Sequence, residues 1–146
     1  MKLESKDIKH GKRIDPRFTC DGENISPHLK WSNVPKGTKS FAVSCIDHDS
    51  KAGKWIHWQI FNIPENVREI VYNGPIPGEE TENDFGNIEY GGPCPEKGEH
   101  RYFFTVYALN VEKFDNINKN NFEEKVKKNS IESAELIGLY IKLENR

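Results

Sequence analysis

The 146-residue sequence has no uncharged apolar run near the roughly 18 residues that a membrane-spanning helix requires, which excludes a helical span. Residues 1–10 are charged rather than like a secretory leader, so a cytoplasmic protein is expected. An excess of either charge is also missing: 21 Lys and Arg stand against 23 Asp and Glu, for a formal net charge of −2. This balance provides no electrostatic footprint for tracking a phosphate backbone, and nucleic acid is not an expected partner. Cysteine is scarce. Cys20, Cys45 and Cys94 are odd in number and have no Cys-x-x-Cys spacing, so neither a disulfide framework nor a structural zinc site is signalled. Three free thiols are the expectation. No repeat, low-complexity tract or linker divides the chain, and a single domain over residues 1–146 follows.

Aromatics are plentiful, with 8 Phe, 5 Tyr and 3 Trp, which argues against disorder because such side chains repay the entropy of ordering. They concentrate in three runs rich in β-branched residues: Ser40-Phe-Ala-Val-Ser-Cys-Ile-Asp47, Trp55-Ile-His-Trp-Gln-Ile-Phe-Asn-Ile63 and His100-Arg-Tyr-Phe-Phe-Thr-Val-Tyr-Ala-Leu109. These read as strands. The last two are apolar on both faces, as strands covered on both sides must be, and are expected at the middle of the sheet. Gly and Pro mark turns at Asp21-Gly22, Pro35-Lys36-Gly37, Asn73-Gly74-Pro75, Pro77-Gly78 and Gly91-Gly92-Pro93. One helix is signalled over residues 121–129, with Asn121 as its cap, Glu124 in its first turn, Lys127 and Lys128 in its last, and Phe122 and Val126 as its buried stripe. Residues 134–143 fit either period, and a strand is the reading adopted.

Side chains two apart on a strand share a face, which sorts the polar residues. His100 and Tyr102 share one face, and Arg101 points the other way. His57 goes with Trp55 and Gln59, and Cys45 goes with Asp47, a parity that Asp49 continues if the chain stays extended. Two histidines inside apolar strands are notable, because each ring carries a donor and an acceptor that must be satisfied once water is removed. His57, His100, Tyr102, the aspartates and the Gly92-Pro93 turn can converge on one cleft. Imidazoles and a phenol would donate to phosphate-like oxygens, and Gly92 and Pro93 would form a wall. Asp47 would fix a histidine tautomer or meet a ligand amine.

The segments Asp47-His-Asp-Ser, Trp55-Ile-His-Trp and Gly92-Pro-Cys-Pro-Glu-Lys-Gly-Glu-His-Arg-Tyr102 resemble, in order, three signature stretches of the phosphatidylethanolamine-binding protein family. The run Phe18-Thr-Cys-Asp-Gly-Glu-Asn-Ile-Ser-Pro-His-Leu-Lys-Trp31 and Asn83-Asp-Phe-Gly86 are similar to its bacterial and archaeal branch, which is like the Raf kinase inhibitor protein. The resemblance implies a mainly β fold: a large antiparallel sheet packed on a smaller sheet with one or a few short helices. It also implies a cleft for a phosphoryl head group lined by Asp47, His57, Gly92, Pro93, His100 and Tyr102. Arg101 matches as well and is read as structural, pairing Asp49. By similarity to microbial relatives a homodimer is expected. Both prolines of the family's Asp-Pro-Asp-Ala-Pro stretch are absent here. A trans bond at Lys51 is therefore expected, since a cis bond before a non-proline residue costs about 3 kcal/mol, together with an altered rim carrying His48 and Lys51. The chain ends soon after its last strand, so the C-terminal helix of animal members is expected to be missing.

The function expected is a non-enzymatic binding module, possessing no cofactor or metal, for a phosphorylated small molecule or phospholipid head group. An alternative is a cysteine-dependent hydrolase using Cys94 as nucleophile, His100 as base and Asp47 as orienter. A protein-interaction regulator without turnover is a further class. A metal site of Asp47, His48, His57 and His100 has no supporting ligand spacing.

Overall fold

In a computed structural model covering Met1–Arg146, the three aromatic runs form long, adjoining strands. In chain order the strands are β1 (Lys2–Glu4), β2 (Lys12–Arg13), β3 (Leu29–Ser32), β4 (Ser40–Ser50), β5 (Gly53–Pro64), β6 (Glu69–Ile70), β7 (Glu79–Glu80), β8 (His100–Leu109) and β9 (Ser130–Tyr140). A single α-helix, α1 (Phe122–Lys128), joins β8 to β9. The large sheet runs β2-β9-β8-β4-β5-β7, and the small one runs β1-β3-β6. All pairings are antiparallel except the short β2–β9 contact. This is the mainly β, two-sheet architecture the sequence implies. No helix is long and apolar enough to cross a membrane.

The centre of the large sheet differs from expectation in one respect. The middle pair is β4 and β8, and β5 lies one place outward, bordered by the two-residue β7. Residues 56–61 of β5 are buried all the same, because core side chains cover one face and Phe61 joins α1 on the other. Alternation along the strands produces two cores. Phe41, Val43, Cys45, Trp58, Ile60, Phe104 and Val106 face the small sheet, where Leu3, Leu29, Trp31 and Ile70 meet them. On the opposite face Ala42, Phe61 and Leu109 receive Phe122 and Val126, the predicted buried stripe of α1.

The helix lacks its expected cap. Asn121 already has helical dihedrals, and its Oδ1 accepts the backbone N–H of Asn118 at 2.8 Å, so the side chain closes the preceding turn. The final strand forms as expected but begins earlier, at Ser130. Every peptide bond is trans, including the one before Lys51.

Candidate functional site

Three strands deliver their polar residues to one end of the large sheet. Asp47 on β4 lies opposite Tyr102 on β8 and opposite Trp55 on β5. His57 arrives by an irregularity: Cys45 pairs with Trp58 and Ile46 with Ile56, leaving His57 as an extra residue with no partner. A bulge of this kind re-aims a side chain, and it corrects the simple parity. Gln59 pairs with Ser44 and faces the opposite side of the sheet, whereas His57 faces the cleft with Trp55.

Each imidazole has one nitrogen committed. His57 is 2% exposed, and its Nδ1–H donates to the Gly91 carbonyl at 2.6 Å. Its ring meets Tyr102 and Phe85 edge-on, with centroids 5.2 and 5.4 Å away. Burial pulls its pKa below the ordinary imidazole value, with the Gly91 hydrogen bond opposing. The His100 Nδ1–H donates to Asp47 Oδ2 at 2.7 Å. The other oxygen, Asp47 Oδ1, accepts the Asp49 backbone N–H at 2.7 Å. No protein group bonds Nε2 of either ring, and neither nitrogen is sealed from the cleft. Tyr102 is fully buried, yet its hydroxyl has no hydrogen-bond partner. Burial, then the Asp47 charge, pushes the phenol pKa well up, so it stays an O–H donor.

These groups line a single open cleft of about 570 Å³. Of the six expected residues, Asp47, His57, His100 and Tyr102 line it. Gly92 and Pro93 are buried just behind, and Cys94 and Pro95 form the wall in their place. The Gly92 N–H donates to Asn24 Oδ1 at 2.8 Å, and a Cβ at Gly92 would stand 2.1 Å from the Phe18 carbonyl oxygen. Gly92 thus permits a close approach of two backbone segments and not of a ligand.

The expectation of three free thiols is overturned. Cys20 and Cys94 form a disulfide with a Cα–Cα separation of 5.4 Å, and only the buried Cys45 is free. Cys94 therefore carries no thiolate, and the cysteine-hydrolase reading loses its nucleophile in this state. A bridge spanning 74 residues with an odd cysteine left over gives no spacing signal.

Arg101 pairs Asp49 as expected. Its Nε and Nη2 donate to the two carboxylate oxygens at 3.0 and 2.9 Å, and its backbone N–H adds a third bond. The guanidinium holds the Asp49 carboxyl at a pKa of about 2. His48 points to the other face of the sheet, where its ring meets Phe103 at 5.1 Å. It cannot join His57 and His100 around one ion. Two aromatic lining residues were not predicted for the site, Trp55 and Phe85. The second had a readable signal, since Asn83 Oδ1 accepts the N–H groups of Phe85 and Asn87 in an Asx-type turn closed by Gly86 at φ 90°.

Residues 4–141 match the family model described as phosphatidylethanolamine-binding protein. Among curated proteins, a UPF0098 protein of Aquifex aeolicus is 40% identical over 150 residues, covering 96% of this chain and 88% of that protein. The UPF0098 protein YbhB of Escherichia coli is 43% identical over 129 residues, covering 79% of this chain and 82% of its own. Among solved structures, E. coli YbcL, described as a new member of the mammalian family, superposes with a TM-score of 0.90 at 34% identity, covering 97% of this chain and 98% of that one. A Chlamydia trachomatis homologue gives 0.89 at 34% identity, with 97% of both chains covered.

Proposed function

The chain belongs to the phosphatidylethanolamine-binding protein family, and from that premise we propose that it is a non-enzymatic module whose cleft holds a phosphoryl group. The observation that carries this reading is the pair of imidazole Nε2 atoms left unbonded and unsealed at one cleft, each ring fixed through its Nδ1. An unmade hydrogen bond at a buried site costs on the order of 1–3 kcal/mol, so a ligand that fills the cleft must bond these atoms, as an oxygen-rich group can. The Nε2 atoms of His57 and His100 face the same space, and Lys51 and Lys97 stand at its rim. A phosphorylated small molecule or a phospholipid head group could supply the oxygens.

Titration with inorganic phosphate, phosphoethanolamine and a short-chain phospholipid, followed through the imidazole NMR signals of His57 and His100, tests the reading. Both signals should move with at least one ligand. Unmoved signals with all three would remove the phosphoryl seat.

A further inference from the structure

The hydrogen-bond inventory of the cleft distinguishes between forms of phosphate. The Gly91 carbonyl can only accept, so His57 keeps its hydrogen on Nδ1, and Nε2 of the neutral ring presents a lone pair. For Nε2 to donate, the ring would have to become a cation at a site that is 2% exposed. The groups facing it do not favour this strongly. Asp47 on β4 and Asp84 in the loop after β7 attract a proton, but Asp47 is engaged by His100, and Asp84 by Ile56 N–H and Lys119. From β8 come the neutral Tyr102 phenol and His100, whose cationic form would repel a second charge. Phe85 covers the ring from the other side. Burial dominates and His57 remains neutral.

The donor facing the same space is, once protonated, His100 Nε2, which can donate outward while Nδ1 keeps its bond to Asp47. The lining carboxylates Asp47, Asp49 and Glu96 stand against Lys51 and Lys97, with Asp49 further held by Arg101 from outside the cleft.

We infer that this cleft selects a phosphomonoester in its monoanionic, singly protonated form, with His57 Nε2 accepting the P–O–H hydrogen and His100 Nε2 donating to another of its oxygens. The inference rests on the proposed phosphoryl seat and narrows its ligand class. A dianion brings no hydrogen for His57 and turns a charged oxygen toward its lone pair. A phosphodiester such as an intact lipid head group likewise has no P–O–H hydrogen to offer. His57 is thus the specificity-determining residue, and monoesters are favoured over diesters.

The test is calorimetry on the wild-type protein with methyl phosphate, dimethyl phosphate and glycerophosphoethanolamine, below and above the second phosphate pKa of about 6. The monoester below that pKa should bind at least about tenfold more tightly than either diester, the scale of one charge-assisted hydrogen bond. Its affinity should fall by a similar factor above the pKa, while the diesters change less. In the methyl phosphate complex, the ¹⁵N signals of His57 should stay those of a neutral Nδ1–H ring. Diesters binding as tightly as the monoester, or an imidazolium pattern at His57, would overturn the inference and leave the phosphoryl seat standing. No binding by any of the three probes would overturn both.

Discussion

Asp47 and His100 form a pair across the β4–β8 boundary in which the carboxylate takes the ring's inner hydrogen at 2.7 Å and leaves the outer nitrogen for a ligand. The Asp47 side chain is 5% exposed, while the imidazole side chain, at 15%, is the more open of the two. Truncating the ring therefore removes a ligand contact at little cost to packing. His100→Ala should weaken inorganic phosphate binding by about tenfold or more, corresponding to one charge-assisted bond of about 1.5–3 kcal/mol, with an unchanged circular dichroism spectrum. Equal affinities in calorimetry would take His100 out of the site.

The wall behind the cleft depends on one missing methyl group. A Cβ at Gly92 would fall 2.1 Å from the Phe18 carbonyl oxygen, 2.4 Å from Asn24 Oδ1 and 2.9 Å from the Thr19 Cα. Two of these neighbours are backbone and cannot swing away. Gly92→Ala should destabilise the protein by about 1–3 kcal/mol through overpacking, lowering the Tm by roughly 3–10 °C. A Tm within error of the wild type would mean that the 16–24 segment can yield.

Much of this arrangement could be read from the sequence, because the long strands are written in local pattern. The aromatic and β-branched runs identified β4, β5 and β8, and period-two parity correctly put His100 with Tyr102 and Arg101 opposite. Parity kept His57 with Trp55 but failed at Gln59, since a bulge at His57 inserts a residue that only the partner strand's register reveals. The Cys20–Cys94 bond was hidden for a related reason: its halves lie 74 residues apart, and the buried Cys45 makes the count odd. β2, β6 and β7 have two residues each, too few to carry a period, and exist because a longer neighbour offers them hydrogen bonds. Gly92 and Pro93 looked like a ligand wall from composition. Their real neighbours, Phe18 and Asn24, are about 70 positions away in sequence and could not be inferred without the fold.

The disulfide joins the cleft wall at Cys94 to the segment after the Pro16–Phe18 turn, and Cys20 N–H also donates to the Pro93 carbonyl at 3.1 Å. Cross-linking residues so far apart restricts the unfolded chain strongly. Replacing both with serine, or adding a reductant, should cost about 2–4 kcal/mol and lower the Tm accordingly. Thermal melts with and without reductant measure this. Identical melts, with no thiols released to a chromogenic reagent after denaturation in reductant-free buffer beyond the one from Cys45, would show an intact but energetically idle bond.

Two groups near the cleft contribute to how stability responds to acid in separate windows, the lower of which Glu123, held at a pKa of about 2 by Lys127 and Lys54, shares. His57 has a folded pKa below the usual 6.5, so as pH falls through that value the unfolded chain takes up a proton that the native ring refuses. Stability should begin to fall there and stop falling on this account once the buried ring itself protonates. Asp49 has a folded pKa of about 2 against the usual 3.8, because Arg101 holds its charged form. Its contribution is fully present above 3.8 and is lost as pH falls toward 2, where the native carboxyl also protonates. Melting temperatures across this range should therefore show two acid limbs. Asp49→Asn should lower the Tm near neutrality, and its deficit should vanish only in the lower window. His57→Gln should flatten the upper limb and leave the lower one in place. An upper window with no loss of stability, unchanged by His57→Gln, would mean that the His57 ring gains its proton as easily folded as unfolded, and with it the neutral acceptor at the cleft floor would be gone.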